Sequence, residues 1–369
     1  MKVPFLNLEL LHAQIQSELA EAVQRVMRSN RFVLGPEVRA FEKEFADWSD
    51  CPRCVGTSNG LDALTLSLQT IGIGGPDDEV VIPANTFVAT ALAVSRTGAT
   101  PVLVDVDPNT HLMAPNELKK AMGPNVKAVV PVHLFGQACS MREIVAIAAK
   151  SGAYVIEDNA QAQGATWEGR QTGSWGHLGA TSFYPGKNLG AFGDAGAVTM
   201  SDPRLESTIR ELGNYGSKEK YIHESKGYNM RLDELQAALL RVKLSKLTIW
   251  NNLRVEAASR YEDLLSDIQD LRLPSTNKNA THVYHLYVVQ TNRRDELAKW
   301  LSQRGVDTLV HYPKCIHEHQ AYHELLDLQG SFPVAEHLAR TMLSLPMHPF
   351  LSEEEQKYIA TSIRAFFKR

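Results

Sequence analysis

Short apolar runs alternate with amphipathic segments through the first half of the chain. In the amphipathic segments the apolar residues recur every three or four positions, which is typical of helices. Strands that alternate with helical segments predict an α/β fold in which a mostly parallel sheet carries helices on both faces. The predicted strands are 79–82, 101–105, 128–133, 154–158 and 180–184, and the predicted helices include 61–68, 115–121, 141–151 and one that begins near 86.

The two ends of the chain add further elements. Residues 9–29 and 37–48 have a helical period and precede the first strand. No repeat or low-complexity linker interrupts the second half, so we expect two domains packed as one body, a large one over 1–245 and a smaller α+β domain over 246–369. The second half is predicted to contain helices 204–212, 235–267, 293–304 and 352–367 and strands 283–290 and 307–311.

Composition narrows the class of protein. The chain has 369 residues, 44% hydrophobic residues and a net charge of −4, so it can bury a large core and lacks the positive charge of a nucleic-acid binder. No segment approaches the ~18 apolar residues of a membrane span, and the N-terminus does not resemble a secretion signal. We therefore expect a cytoplasmic enzyme with neither a nucleic-acid partner nor a membrane partner.

The four cysteines leave one alternative open. Cys51 and Cys54 have the spacing of some metal or redox pairs. Cys139 and Cys315 are isolated, so no second pair completes a structural zinc site. Free thiols in a reducing compartment are the favoured interpretation.

A single lysine between two apolar runs carries the first chemical signal. Strand 180–184 ends at Pro185 and Gly186, Lys187 follows, and a glycine-bearing loop leads to the next apolar run. We predict a strand, a tight turn and a strand. A lysine that is partly desolvated there has a lowered pKa, and its neutral amine can attack a carbonyl.

An acid at the end of a buried strand makes that signal specific. Asp158 ends strand 154–158, at the edge where open α/β sheets bind ligands. A carboxylate there can keep a pyridine nitrogen protonated. With Lys187 as a Schiff-base lysine, these are the two protein groups that pyridoxal 5′-phosphate (PLP) chemistry requires.

Four motifs in order resemble one known family. They are Glu157 to Gln161, Ser182 to Asn188, Gly193 to Ala197 and Gly227 to Leu232. Together they resemble the DegT/DnrJ/EryC1/StrS family of PLP-dependent nucleotide-sugar aminotransferases, over nearly the whole chain. The resemblance implies the PLP-dependent aminotransferase fold of type I and a homodimer whose two active sites are shared between subunits.

The resemblance also implies a set of cofactor contacts. Asn59 and Gly60 would lie under the cofactor phosphate at a helix N-terminus, although a plain N-cap is the common role of such an asparagine. Phe87 would stack on the pyridine ring, although an isolated phenylalanine there is more often core. Asn229 would reach the phosphate of the neighbouring subunit. The complete implied set is Asn59, Gly60, Phe87, Asp158, Gln161, Ser182, Lys187, Asn188 and Asn229.

The substrate contacts rest on the resemblance alone. A histidine-rich run around His311 could suggest a metal site, but its spacing fits no standard ligand set. Family members that aminate carbon 3 of dTDP-6-deoxy sugars have a His-Tyr-Pro and a following histidine near the substrate, and His311-Tyr312-Pro313 with His317 resembles this arrangement. The implied substrate contacts are Tyr184, Tyr221, Arg231, His311 and His317.

The predicted reaction moves an amino group from L-glutamate to carbon 3 of a dTDP-3-keto-6-deoxyhexose. An aminotransferase acting on a 4-keto or UDP-linked sugar remains an alternative. A PLP-dependent keto-sugar dehydratase is disfavoured because relatives with that activity have a histidine where Lys187 stands. A non-catalytic regulator would not need Lys187, Asp158 and Asn229 all to be present.

Overall fold

The computed structural model describes residues 1–368. Its helices are α1 (Leu8–Ala13), α2 (Gln16–Ser29), α3 (Pro36–Trp48), α4 (Gly60–Thr70), α5 (Val88–Thr97), α6 (Pro115–Ala121), α7 (Met141–Lys150), α8 (Pro203–Gly213), α9 (Glu234–Leu265), α10 (Arg294–Gln303), α11 (His323–Gln329), α12 (Pro333–Thr341) and α13 (Glu353–Phe367). Its strands are β1 (Arg53–Thr57), β2 (Glu79–Pro83), β3 (Thr100–Val104), β4 (Val126–Val129), β5 (Tyr154–Asp158), β6 (Thr166–Trp167), β7 (Arg170–Gln171), β8 (Leu178–Ser182), β9 (Gly196–Met200), β10 (Ser217–Glu219), β11 (Ile222–His223), β12 (Tyr287–Gln290) and β13 (Met342–Leu345).

A seven-stranded sheet organises the first half of the molecule. Its strand order is β1-β9-β8-β5-β4-β2-β3. β9 runs antiparallel to both of its neighbours, and all other neighbouring strands are parallel. The strands are almost entirely buried, as expected for a sheet covered on both faces. The predicted α/β fold with a mostly parallel sheet is confirmed.

Four predicted elements differ in the structure, among them strand 283–290, of which only Tyr287–Gln290 is a strand. The predicted strand 128–133 ends at Val129, because Pro131 has no N–H to donate to a sheet ladder. The predicted strand 307–311 is absent from the described residues, where Leu309 forms only an isolated bridge with Ser344. The predicted helix 9–29 is broken before Gln16, and Ile15 lies buried at the break.

Two main hydrophobic clusters form the core. The larger surrounds the central sheet and also takes in residues from the 283–342 region, such as Val283 and Leu338. The second packs α10 and α13 against β12, β13 and the C-terminal part of α9, and it includes Val3 from the N-terminus. The predicted domain boundary at 245/246 falls inside α9, and the division into two domains stays a prediction.

A buried carboxylate fastens the N-terminal helices to α9. Gly35 precedes α3 and offers no side-chain cap. Instead, the Glu234 carboxylate accepts hydrogen bonds from the N–H groups of Gly35 (2.6 Å), Glu37 (2.9 Å) and Val38 (3.0 Å). A negative charge at a helix N-terminus satisfies free N–H groups and complements the helix dipole. This contact joins segments about two hundred residues apart in sequence.

Candidate active site

Strand register brings several predicted site residues to one edge of the sheet. Thr57 at the end of β1 pairs with Gly196 at the start of β9, and Gly196 pairs with Ser182 at the end of β8. Asp158, the last residue of β5, pairs with Ala180 of β8. The residues after β1, β5 and β8 therefore converge at the carboxyl edge of the sheet, where open α/β folds bind ligands.

Lys187 lies in the connection between β8 and β9. The connection spans residues 183–195, so the predicted tight turn between two strands is wrong in length. A local turn is nevertheless present, since Lys187 N donates to Tyr184 O at 2.8 Å. A side chain at Gly190 would approach the Pro185 carbonyl oxygen to 2.3 Å. Only glycine allows the chain to fold back this closely behind the lysine.

Helix α9 holds this connection in place from behind. Lys243 Nζ donates to Gly190 O at 2.6 Å, and the Gln236 side-chain oxygen accepts from Phe192 N at 2.8 Å. Asn188 Nδ2 donates to Asn251 Oδ1 at 2.9 Å and to Val283 O at 3.1 Å. Sequence reasoning missed all three α9 residues, because nothing local marks a helix residue that binds a distant loop.

Asp158 and Lys187 act on each other at this edge. Burial lowers the pKa of Lys187 to about 8, and the Asp158 carboxylate counteracts this shift. Burial raises the pKa of Asp158, while hydrogen bonds and the positive charge of Lys187 counteract it. The lysine is therefore more easily deprotonated than a free lysine, and its partner carboxylate is enclosed with it.

Two hydrogen bonds orient the Asp158 carboxylate. Thr90 Oγ1 of α5 donates to Asp158 Oδ2 at 2.9 Å, and Ala160 N donates to Oδ1 at 3.2 Å. Thr90 is itself buried and is held by Thr86, whose hydroxyl lies 2.9 Å away. Sequence reasoning missed Thr90, because nothing local marks a helix residue that binds the end of a distant strand.

The neighbouring acid, Glu157, points into the opposite side of the strand and serves the scaffold. Its carboxylate accepts from the backbone N–H groups of Gly173 (2.8 Å), Trp175 (2.7 Å) and Gly176 (2.7 Å). It also lies 2.9 Å from His133 Nε2. Because Cys139 N donates to His133 Nδ1, the ring proton resides on Nε2 and is donated to Glu157. Glu157 thus fixes the loop that packs beneath β5.

The end of the site at α4 is unusually tight. A Cβ at Gly60 would meet the Ser182 Cβ at 2.6 Å, and a Cβ at Gly196 would meet the Asn59 carbonyl oxygen at 2.5 Å. Asn59 is the N-cap of α4: its Oδ1 accepts from Asp62 N at 2.9 Å, and its Nδ2 donates to the Asp62 carboxylate at 2.8 Å. The side chain of Asn59 is therefore engaged in capping, and backbone N–H groups at Gly60 are what this turn offers to an anion.

An aromatic pair lies close to Gln161 of the Asp158 loop. The rings of Phe87 and Tyr312 lie 5.4 Å apart, and Phe87 is half exposed. Gln161 Nε2 donates to the Tyr312 hydroxyl at 3.1 Å, and its Oε1 accepts from Phe135 N at 2.6 Å. Gln161 thereby ties the predicted His-Tyr-Pro segment to the Asp158 loop.

Asn188 and His285 lie next to each other, close to Lys187. The Asn188 Oδ1 lies 3.3 Å from His285 Nδ1, and Asn188 is buried with its donors already used by Asn251 and Val283. Its role in the structure is to hold the Lys187 turn. Burial, with Lys187 as the next largest cause, keeps the pKa of His285 well below its ordinary value, so this ring is neutral. His285 is a further site residue that sequence reasoning missed.

The predicted substrate residues fall into separate places. Burial and the nearby charge of Lys187 lower the pKa of His311 to about 4. Its Nδ1 lies 2.8 Å from Ser344 Oγ. Tyr184 lies beside the Lys187 turn and is 60% exposed. His317 is instead buried against Phe332, with its Nε2 3.2 Å from a Glu336 oxygen. His317 is therefore paired with Glu336, and its contacts do not include Lys187.

The remaining predicted contacts, Tyr221, Asn229 and Arg231, lie in the segment between α8 and α9. Arg231 donates to Asn214 Oδ1 at 2.8 Å and lines a cavity of about 690 Å³. Asn229 is exposed, and Tyr221 is 82% exposed on the hairpin formed by β10 and β11. Among the described residues, the contacts of Arg231, Tyr221 and Asn229 do not include Lys187 of the same subunit.

The cysteines and histidines form no metal-binding group among residues 1–368, where no three His, Cys, Asp or Glu side chains gather as ligands would. All four cysteines are free thiols and buried. Burial raises the pKa of both Cys51 and Cys54, which makes their thiolates harder to form. In the same part of the chain, none of the helices is both long and apolar enough to cross a bilayer.

Comparisons with known proteins identify the family of the chain. Residues 13–364 match the DegT/DnrJ/EryC1/StrS aminotransferase family. A dTDP-3-amino-3,4,6-trideoxy-alpha-D-glucose transaminase of Streptomyces venezuelae is 44% identical and aligns with 100% of this chain and 97% of its own length. The erythromycin biosynthesis sensory transduction protein EryC1 of Saccharopolyspora erythraea is 46% identical over 99% of this chain and 100% of its own.

A solved structure is also very similar. The crystal structure of S. venezuelae DesV, in complex with a ketimine intermediate, superposes with a TM-score of 0.97 at 44% identity and covers 100% of this chain and 99% of that one. Aminotransferases of the matched family depend on PLP. The chain belongs to the DegT/DnrJ/EryC1/StrS aminotransferase family and is a PLP-dependent aminotransferase.

Proposed function

We propose that this aminotransferase moves the amino group of L-glutamate to carbon 3 of a dTDP-3-keto-6-deoxyhexose, in the synthesis of a deoxyamino sugar. The observation that carries the catalytic part is the partly buried pair of Lys187 and Asp158 at the carboxyl edge of the sheet. The sugar is proposed by analogy with the S. venezuelae transaminase, whose name specifies a dTDP-3-amino sugar.

The residues at this edge fit PLP. Lys187 is a partly buried amine with a pKa of about 8, and the Asp158 carboxylate can hold a protonated ring nitrogen. Gly60 and Gly196 leave a tight backbone cradle at the N-terminus of α4, where a phosphate is favoured. Ser182 adds a hydroxyl beside that cradle. Phe87 is half exposed and its ring lies 5.4 Å from that of Tyr312, which leaves a face available to cover a flat ligand.

Each residue then has a definite task. When bound, PLP supplies an electron sink for the carbon that loses its proton. Lys187 Nζ is the base and acid: its lowered pKa keeps a usable share of neutral amine near pH 7, able to accept a proton and later return it. Thr90 and Ala160 keep the Asp158 carboxylate aimed at one position throughout.

The sugar side of the site is assigned to the His311 segment. His311 stays neutral because burial and Lys187 lower its pKa to about 4, so it can donate or accept a single hydrogen bond with a sugar hydroxyl or phosphate. Tyr312 is fixed by Gln161, which ties the segment to the Asp158 loop. Tyr184 is exposed beside Lys187 and is available to a substrate. Of the two predicted histidines, His311 is the better supported because His317 is occupied by Glu336.

We further propose a homodimer whose sites combine residues of both subunits. Asn229 and Tyr221 are exposed, and Arg231 belongs to the same segment, apart from Lys187. The surface nearby carries an apolar run of Phe32, Val33 and Leu34, each about half exposed. An exposed apolar patch of this kind is typical of an interface. A partner subunit would bring these residues to the other copy's cofactor.

The four buried free thiols support a reducing, cytoplasmic location. A location outside the cytoplasm would predict disulfides in an oxidising compartment. Mass spectrometry of the protein extracted from its native host, after alkylation, would distinguish the two states of each cysteine.

The alternative acceptors are a 4-keto sugar and a UDP-linked sugar. The aminotransferase assignment holds for all of them, because Lys187 and Asp158 act on the donor side and on proton movement. What separates the acceptors is differential binding around the sugar and nucleotide. A dehydratase is disfavoured by Lys187, and a regulator without catalysis would have no use for the Lys187 and Asp158 pair.

The test of the proposal is the visible spectrum of the purified protein. We expect wild-type protein with PLP to show a visible absorption band that L-glutamate converts to that of the pyridoxamine form, and borohydride to fix the cofactor on Lys187. Lys187→Ala should fold and lack both properties. Wild-type protein saturated with PLP that neither borohydride nor glutamate alters would refute the proposal.

A further inference from the structure

A narrow cavity lies between the Lys187 turn, the N-terminal segment 6–8 and helix α9. The volume open to the centre of a water-sized sphere is about 10 Å³ there, enough for one small species. Three cationic residues line it, namely Lys187, Lys243 and Arg254, together with His348. No carboxylate lines this cavity in the part of the chain that the structure describes.

Arg254 is a buried cation that has no carboxylate partner among the described residues. It is 2% exposed, and it forms no ion pair with any carboxylate in residues 1–368. Its Nη1 donates to the carbonyl oxygens of Tyr284 (3.1 Å) and Met347 (3.1 Å), and the His285 carbonyl lies at 3.5 Å. Its Nε is buried and has no hydrogen-bond partner. Carbonyl dipoles satisfy part of the guanidinium but supply no formal negative charge.

His348 is also a buried polar side chain that lacks hydrogen-bond partners. It is 1% exposed, and both ring nitrogens are buried without a hydrogen-bond partner. Burial and the charge of Arg254 lower its pKa to about 4, against an opposing effect of Glu355. Glu355 is not a direct partner of either ring nitrogen, and its Oε2 caps α13 by accepting from Ser352 N and Ser352 Oγ, both at 2.9 Å.

Lys243 adds a further buried cation along the cavity. It is 2% exposed, and Gly190 O is its one hydrogen-bond acceptor among the described residues. The Phe192 ring lies 4.3 Å from its Nζ and His12 lies nearby, where it is affected by the lysine charge. Buried charges in proteins are normally paired, because an uncompensated charge in a low-dielectric interior costs several kcal/mol.

We propose that this cavity binds one small monovalent anion, of the size of chloride, which accepts hydrogen bonds from Arg254 Nε and a His348 ring N–H. A water molecule would satisfy the same hydrogen-bond donors but would leave the guanidinium without a counter-charge. Phosphate, sulfate and carboxylates each have several heavy atoms, whereas the cavity has room for the centre of about one small sphere. The anion would stabilise the junction between α9, the Lys187 turn and the C-terminal segment around His348.

Bromide replacement locates such an anion directly. Crystals of the PLP-loaded protein grown in sodium bromide should give an anomalous difference peak within hydrogen-bond distance of Arg254 Nε and a His348 nitrogen. The proposal is overturned if the site holds only a water molecule without anomalous signal, or if bromide binds at surface lysines alone.

Thermal unfolding of the holoprotein provides the solution test. At matched ionic strength, chloride should raise the unfolding temperature over gluconate, which is too large for the cavity, in a saturating manner by about 2 °C or more. Arg254→Gln and His348→Phe should abolish this difference, and the second variant keeps the test valid if the first does not fold. Lys119→Gln, an exposed lysine elsewhere, is the matched control and should keep it. Equal unfolding temperatures of the wild type in the two salts, or an unchanged chloride increment in both cavity variants, would contradict the proposal.

Discussion

Asp158 limits the fall that burial causes in the pKa of Lys187. Burial lowers this pKa to about 8, and the negative charge of the Asp158 carboxylate acts in the opposite direction. Lys187 in turn counteracts the rise that burial imposes on the pKa of Asp158. The pair therefore gives the site an amine that is reactive near neutral pH and a carboxylate that is kept close to it. Both properties follow from placing the last residue of β5 and a residue of the connection after β8 at one buried edge.

The first prediction concerns the pH dependence of Lys187. In apoprotein, reductive methylation of Lys187 by formaldehyde should accelerate as pH rises through about 8, because only the neutral amine reacts. Asp158→Asn removes the negative charge that raises the lysine pKa, so its midpoint should move to lower pH. Quantifying the Lys187 peptide by mass spectrometry at each pH gives both midpoints. An unchanged or higher midpoint in Asp158→Asn would show that the two groups are not coupled as described.

The second prediction concerns the hydroxyl that orients Asp158. Thr90→Val keeps the shape of the side chain and removes the donor to Asp158 Oδ2, so the carboxylate loses a hydrogen bond that lowers its pKa. Loss of a hydrogen bond to a charged group costs about 1.5 kcal/mol, which corresponds to roughly tenfold weaker PLP binding. Fluorescence titration of apoprotein with PLP measures the change. Thr208→Val, on exposed α8, is the control and should bind PLP as the wild type does.

The third prediction concerns the shared site. Lys187→Ala and Asn229→Asp should each be inactive, the first because it lacks the amine and the second because a carboxylate would face the cofactor phosphate. After verified subunit exchange, a mixture should regain activity, since one of the two sites in each heterodimer is intact. Activity that remains at the level of the separate variants would mean that Asn229 serves its own subunit.

The fourth prediction concerns stability rather than catalysis. Glu234→Gln replaces one of the oxygens that accept from Gly35, Glu37 and Val38 by an NH2 group, and it removes the charge at the N-terminus of α3. We expect the free energy of unfolding to fall by about 2 kcal/mol. Denaturant titration measures it, with Glu256→Gln on the exposed side of α9 as the control. Equal losses in both variants would remove the capping role of Glu234.

The local patterns of the sequence predicted the sheet and the central pair. Buried strands have continuous apolar runs. Asp158 ends β5 and Lys187 lies in the connection that follows β8, so their meeting at one sheet edge follows from the parallel pairing of these two strands. The length of the Lys187 connection was missed because residues 183–195 contain several glycines and no regular period. The partners of that connection were missed for a different reason. Asn251 binds Asn188 from sixty-three positions away, and no local signal reports such a contact.

Family resemblance supplied residue roles that the structure supports unevenly. Gly60 and Ser182 meet in a cradle that a Cβ would fill, which suits a phosphate. The side chain of Asn59 caps α4, and Asn188 is saturated by Asn251, Val283 and His285, so neither side chain is free for a ligand. Backbone geometry around these asparagines matters more than their amides.

The measurement that tests the account most directly is single-turnover reaction of the pyridoxamine form with defined sugars. Enzyme converted with L-glutamate and freed of it should be returned to the PLP form by a dTDP-3-keto-6-deoxyhexose, and the 4-keto isomer and the UDP-linked analogue should react far more slowly, because discrimination arises from differential transition-state binding. Faster return with the 4-keto or UDP sugar would contradict the proposed substrate, and no return with any of the three would contradict the proposed reaction with nucleotide sugars.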